Sequence, residues 1–279
     1  KAFVLENTSR GYGWSGNIII NAQPKDWMSV MASYTRTTAK DVTGMPGSNA
    51  ESAFTYVPTV EGPNNINLHN SQYTTPDRLV AFLTAHDKSG NHYSFIYEAW
   101  RGGANYSYMM VNDINSDGYN YDAIYVPTDG EVANNEFRFV SEDDKTRFMD
   151  YVHANDYLKN QQGKYAEAYS VYSPWVHRID FSYKHDFAIK TNNNEHKLQL
   201  SFDIKNVMNL FNSNWGVAKY LNPEIGSEAR ILKYEGVDAE GYSTFSTPSS
   251  INGNTETFTK SYALGQCWYA LIGVKYLFN

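Results

Sequence analysis

The sequence is short of charge, of cysteine and of unbroken apolar runs. Charged residues make up 19% of the 279, where an ordinary soluble domain carries about a quarter. Acids outnumber bases 30 to 23, for a net charge of -7. A phosphate-binding face needs an excess of Lys and Arg, so nucleic acid is excluded as a partner. A single cysteine, Cys267, allows neither an internal disulfide framework nor a zinc cluster. No run approaches 18 apolar residues and the mean hydropathy is -0.55, so no helix of this chain can span a bilayer. There is no G-x-S-x-G and no Cys-His context around Cys267, and Gly102-Gly103 lacks the strand-to-helix setting of a phosphate loop. The seven histidines show neither helical i, i+4 nor H-x-H spacing, and no carboxylate pair has a fixed spacing suited to acid-base work. The sequence points away from an enzyme. It starts at Lys1 in mid-pattern, without an initiator Met or a signal peptide, which reads as a processed chain or a piece of a longer one.

Aromatic residues, by contrast, reach 15%, with 23 Tyr, 14 Phe and 6 Trp, and disorder is excluded for most of the chain. They fall into period-2 alternation, the mark of strands with two different faces. From Trp175 one row reads His177, Ile179, Phe181, Tyr183, His185 and Phe187, while the other carries Arg178, Asp180, Lys184 and Asp186. After a polar turn over 191–195, Leu198, Leu200, Phe202 and Ile204 alternate with Lys197, Gln199, Asp203 and Lys205. The final strand sets Trp268, Ala270, Ile272, Val274, Tyr276 and Phe278 on one face. Two further hairpins are predicted: from Ile18 to Gln23 and Met28 to Arg36 around a turn at 24–26, and from Arg78 to His86 and Tyr93 to Arg101 around 87–91.

The turns inside hairpins are short, whereas the connections between hairpins run over about 37–77, 102–173 and 208–260. Compact soluble domains rarely hold structureless connections beyond about 15 residues, while outer-membrane barrels pair short periplasmic turns with long extracellular loops. The predicted fold is all-β: part of a large antiparallel transmembrane β-barrel, about seven C-terminal strands, with long extracellular loops. One loop carries a helix. Ser141 is its N-cap, Glu142, Asp143 and Asp144 suit its positive end, and it should run to roughly Leu158, bury Phe148, Met149, Tyr151 and Val152, and stop near Gly163. A bacterial single-chain barrel needs an even number of strands with no open edge in the hydrocarbon, so seven cannot close alone.

Three constellations are candidates for binding. Asp113, Asn115, Asp117 and Gly118 match the opening of a calcium loop, with Asp122 at the tenth position and Ile124 where a bidentate acid would stand. The alternative is a polar turn whose side chains bond their own backbone. The charged row Arg178, Asp180, Lys184, Asp186, Lys197, Asp203 and Lys205 faces the lumen, as a permeation or ligand lining or as a salt-bridged inner wall. Loop aromatics including Tyr106, Tyr108, Tyr121 and Trp215 either form a sugar- or peptide-binding surface at the mouth or make the core of folded loops.

Several segments, in order along nearly the whole chain, resemble the C-terminal barrel of TonB-dependent outer-membrane receptors, above all the type with an N-terminal carboxypeptidase-regulatory-like domain. They are Thr75-Pro76-Asp77-Arg78-Leu79; Asp113-Ile114-Asn115-Ser116-Asp117-Gly118 with Ile124-Tyr125-Val126-Pro127; Pro174-Trp175 with Arg178-Ile179-Asp180; and His196-Lys197-Leu198-Gln199-Leu200 through Asn206-Val207-Met208-Asn209-Leu210-Phe211-Asn212. The resemblance implies roughly the last third of a 22-stranded plugged barrel, residues 1–279 forming its C-terminal portion. It further implies a Gram-negative outer membrane, uptake of a large or scarce nutrient, and energy delivered by the TonB complex through an upstream part. The implied partners are the plug and upstream strands of the same receptor, outer-membrane lipid and a surface lipoprotein. No cofactor is implied beyond calcium in the 113–122 loop. Family barrels finish on a terminal aromatic; Phe278 fits, and Asn279 follows it. The rival expectation is a surface-exposed β-domain binding glycan or protein with calcium's help. A small barrel enzyme would need an eighth strand.

Overall fold

A computed structural model describes residues 2–43, 47, 49–190, 195–226, 228–251 and 256–278. Seven long strands form one antiparallel sheet: β1 (Tyr12–Lys25), β2 (Met28–Asp41), β3 (Asp77–His86), β4 (Asn91–Arg101), β5 (Val176–Lys190), β6 (Glu195–Lys205) and β7 (Tyr269–Phe278). Each pairs with its neighbour in sequence, so the sheet is a plain up-and-down meander. The two-residue strand His69–Asn70 adds to the far end of β2. Among the described residues nothing pairs with the outer side of β1 or of β7, and the sheet is open.

The first hairpin is longer than the alternation predicts. Its extra rungs carry Gly13, Ser15 and Asn17 opposite Ala39, Thr37 and Thr35. Small polar residues give no apolar rhythm, yet they pair: Ser15 and Thr37 hydroxyls lie 3.0 Å apart and Ser33 donates to Asn17 at 2.9 Å. The turn also shifts, to Asp26-Trp27. Pro24 sits inside β1 at a register break between Ala22 and Lys25, where a residue without an N–H is tolerated. The second turn is fixed by Asp87, whose carboxylate accepts from the Ser89 and Asn91 backbone at 2.9 and 3.0 Å and from the Asn91 amide at 2.6 Å. Gly90 closes it at φ +86°, with the Asp186 carbonyl so near that a Cβ would lie 2.8 Å from it. The third turn, 191–194, lies outside the described residues.

Three long connections leave the other end of the sheet, and the latter two fold together. Their apolar side chains make one cluster containing Tyr108, Ile124, Phe148, Tyr151, Leu158, Ile231 and Leu232, each fully buried. A small sheet joins Met109–Met110, Arg230–Val237, Ser243–Ser246 and Arg138–Phe139. The helix Glu142–Ala154 packs here with Ser141 as its N-cap, the Asp144 N–H reaching the Ser141 hydroxyl at 3.1 Å.

That helix ends one turn before the predicted Leu158. Asn155 is extended, and its carboxamide oxygen caps a second helix, Asp156–Gln161, by accepting from Tyr157 and Leu158 N–H at 3.1 Å each. Its amide donates to the Tyr108 and Thr257 hydroxyls at 2.7 and 3.0 Å. The buried polar group thus outweighs continuity of the helix. Gly163 follows at φ +78°, in the left-handed region that a helix exit favours.

Candidate functional site

Strand register sorts the sheet into two unlike faces. One hydrogen-bonded row crosses all seven strands as Ala22, Val30, Leu83, Phe95, Phe181, Ile204 and Ala270. The next rows on the same face hold Tyr93, Tyr183, Phe202 and Ile272 toward the short turns, and Ile20, Ala32, Ala81 and Tyr97 toward the long loops. Among the described residues nothing covers this belt: Phe95 and Phe202 in mid-sheet are 42 and 38% exposed, and Ile18 and Ile272 on the edge strands 67 and 82%. An apolar surface of that extent on a monomer marks contact with another apolar phase or partner.

Amphipathic rings border the belt. Toward the loops Tyr97 and His177 share a hydrogen bond of 2.8 Å, with Trp175 stacked on His177. Toward the turns Asn91 accepts from the Tyr183 hydroxyl at 2.7 Å and sits 2.7 Å from His185 Nδ1, and Tyr276 pairs with His196 at 2.7 Å. From His177 to Phe187 are ten residue steps, about 33 Å along a strand and roughly 23 Å along the normal of a sheet tilted near 45°. The apolar band of an outer-membrane barrel is about 25 Å tall.

The opposite face carries Arg178, Asp180, Lys184 and Asp186 of β5 with Lys197, Asp203 and Lys205 of β6, all on one side by register. It is partly cross-linked. Lys205 meets Asp180 at 2.8 Å, Gln199 donates to Asp186 at 2.7 Å with His92 3.5 Å from the same carboxylate, and Arg78 meets Glu98 at 2.6 Å. Arg178 instead reaches up to the Gly216 carbonyl at 2.9 Å and to the Gln266 side chain, its guanidinium over Trp100. Lys184 and Lys197 stand exposed. A cavity of about 250 Å³ lies here between Glu98, Arg178, Asp180, Lys205 and Tyr269.

The 113–122 loop folds on its own hydrogen bonds. Asp113 accepts from Asp117 and Gly118 N–H at 3.3 and 2.8 Å, Asn115 from Asp117 N–H at 3.0 Å, and Asp117 from Tyr119 N–H at 2.8 Å. Asp122 accepts from Ile114 N–H at 3.1 Å and the Asn115 amide at 3.0 Å. These are the bonds of a closed polar turn. Burial, with Asp117 and Asp113 nearby, pushes the Asp122 carboxyl up to about 6. Among the described residues no group of three His, Cys, Asp or Glu side chains is arranged to hold a metal ion.

The four loop aromatics separate. Tyr108 takes the second of the two alternatives: it is fully buried, bonded to the Thr257 hydroxyl at 2.7 Å, and belongs to the core of the folded loops rather than to a ligand surface. Tyr106 leans on that core against Phe258. It also lines a cavity of about 260 Å³ with Tyr56, Tyr121, Tyr169 and Glu228. The Tyr121 hydroxyl bonds Glu228, and burial together with that carboxylate drives its pKa upward. Trp215 is half exposed, away from both.

A larger cleft, about 570 Å³, was not signalled by the sequence. Its floor is Met110, Leu232 and Phe245, its rim Tyr165 and Tyr242, and its carboxylates Asp122 and Glu136; among the described residues no Lys or Arg lines it. Arg138 stands beside it, held by Asp238 at 2.6 Å and stacked 3.8 Å above the Tyr242 ring. Residues of five separate segments make this cleft, so no local motif announces it. Flat apolar walls with acceptors and without cations suit neutral hydroxylated or cationic groups.

Fold and surface together define a class: an antiparallel meander wall with one uncovered apolar face, one charged face and a folded loop layer at one end. No protein-family model matches the chain, and no curated protein or solved structure is significantly similar to it.

Proposed function

We propose that the chain is the C-terminal portion of a TonB-dependent outer-membrane receptor, supplying the last strands of its barrel wall and the outer loops of its vestibule. The observation that carries this reading is the apolar row running unbroken across seven paired strands, edged by Tyr, Trp and His, with the charged residues at that level standing on the other face. Strands of 10 to 15 residues are long enough for the hydrocarbon at a barrel's tilt. Short turns at one end and large folded loops at the other match the asymmetry of periplasmic and extracellular sides.

On this reading the open edges of β1 and β7 pair with upstream strands, the charged face lines the lumen around a plug, and the aromatic cleft belongs to the ligand vestibule. Binding and gating would be its work, with energy from the TonB complex. The test is the full-length protein. It should leave the cell envelope only with detergent and run faster on a gel unheated than boiled, as closed barrels do. A water-soluble monomer would end the proposal.

A further inference from the structure

We infer that the outward face of the wall carries a binding site for the phosphate headgroup of a membrane lipid, built on Arg36, Asp77 and Arg101; this rests on the membrane placement proposed above. The three residues are neighbours in one cross-strand row, on the same face as the apolar belt and immediately beyond its last row toward the loops, Ile18, Tyr34, Leu79 and Ala99. That is the level at which lipid headgroups would lie.

Asp77 is almost fully buried and holds both guanidiniums, Arg36 at 2.7 Å and Arg101 at 2.8 Å, while Tyr34 donates its hydroxyl at 2.7 Å. Two cations against one carboxylate leave the row with a surplus positive charge. Lys40 lies further along β2 on the same face. A guanidinium has five N–H donors, and Asp77 takes one from each arginine. The Arg101 guanidinium stacks on the Tyr172 ring with its Nε buried and out of a ligand's reach, but its side chain remains 33% exposed and that of Arg36 45%. The carboxylate therefore fixes two planar forks side by side with donors left over, the arrangement that suits phosphate oxygens bidentately. In water those donors would be solvated. Against lipid, where each unsatisfied group is costly, an anionic headgroup is the partner within reach. Trp14, two rows from Arg36 and half exposed, supplies an interfacial ring beside the site.

The test uses the full-length protein in neutral detergent with three probes: short-chain phosphatidic acid, the matching diacylglycerol, and inorganic phosphate. Phosphatidic acid should raise the unfolding midpoint, and the other two should not. The triple variant Arg36→Gln, Asp77→Asn, Arg101→Gln removes the cations together with their carboxylate and so orphans no charge. It should keep heat-modifiable mobility and bind phosphatidic acid roughly tenfold or more weakly. If that variant does not fold, Arg101→Lys, which keeps the charge and loses the fork, should weaken the response alone. Equal responses to phosphatidic acid and diacylglycerol, or equal stabilisation by inorganic phosphate, would overturn the lipid site, as would an undiminished response in the variants. Extraction of the protein without detergent is a separate result and would sink the membrane placement instead.

Discussion

Asp122 shows how much of the loop chemistry is decided residue by residue. Its carboxylate is nearly inaccessible, faces Asp113 and Asp117, and holds its proton up to about pH 6. The folded-state value lies above the ordinary 3.8, so the folded loop binds the proton more tightly than the unfolded chain. Its stabilising increment is complete below about pH 4 and is lost as pH rises through 6, at most about 3 kcal/mol at 1.36 kcal/mol per unit. Asp122→Asn should flatten that dependence and make the loop layer more stable than the parent at pH 7, read by hydrogen exchange over residues 108–126. An unchanged pH profile would count against this account. Tyr108 offers a second test: Tyr108→Phe removes the hydroxyl that Thr257 and Asn155 share, and should cost about 1–3 kcal/mol of loop-layer stability by leaving buried partners unpaired.

At the scale of elements, the two faces of a strand should answer differently to the same substitution. Phe202 and Ile272 are direct cross-strand partners on the belt, whereas Ser201 and Gly273 alternate with them on the charged face. Phe202→Arg or Ile272→Arg should cost about 2–4 kcal/mol if at the membrane midplane and lower the yield of heat-modifiable barrel; Ser201→Arg should be tolerated. Similar losses on both faces would contradict the proposed orientation. The 113–122 turn already spends its oxygens on backbone N–H groups, so calcium is expected to give neither binding heat nor a thermal shift, and a saturable response would reverse that reading.

The same scale explains what the sequence makes legible. β5 and β6 alternate apolar with charged residues, so pattern alone locates them to within a residue or two. The outer half of β1 and β2 sets Gly13, Ser15 and Asn17 against Ala39, Thr37 and Thr35 on one face, with no apolar row there to read, and its strand character lies in cross-strand hydrogen bonds that only the partner reveals. The break at Asn155 depends on Tyr108 and Thr257, far away in sequence. Charge on one face of β5 and β6 was readable; the Glu136 and Tyr242 cleft and the Arg36, Asp77 and Arg101 row were not, because each is assembled across segments.

For the whole molecule, rigidity is distributed unevenly. The deeply buried apolar side chains lie in the connections, while the wall keeps only a few such residues, among them Ala99 and Val176. The loop layer should therefore resist protease in spite of its length, and on the proposed reading it would do so on intact cells. β1 and β7 present the reverse situation. Fourteen and ten residues of strand end in uncapped rows of amide donors and carbonyl acceptors, beside greasy side chains. Made in water, this chain would recruit copies of itself along both rims, and inclusion bodies rich in cross-β order are the expected product unless a micelle or, on the proposed reading, upstream strands reach those rims first.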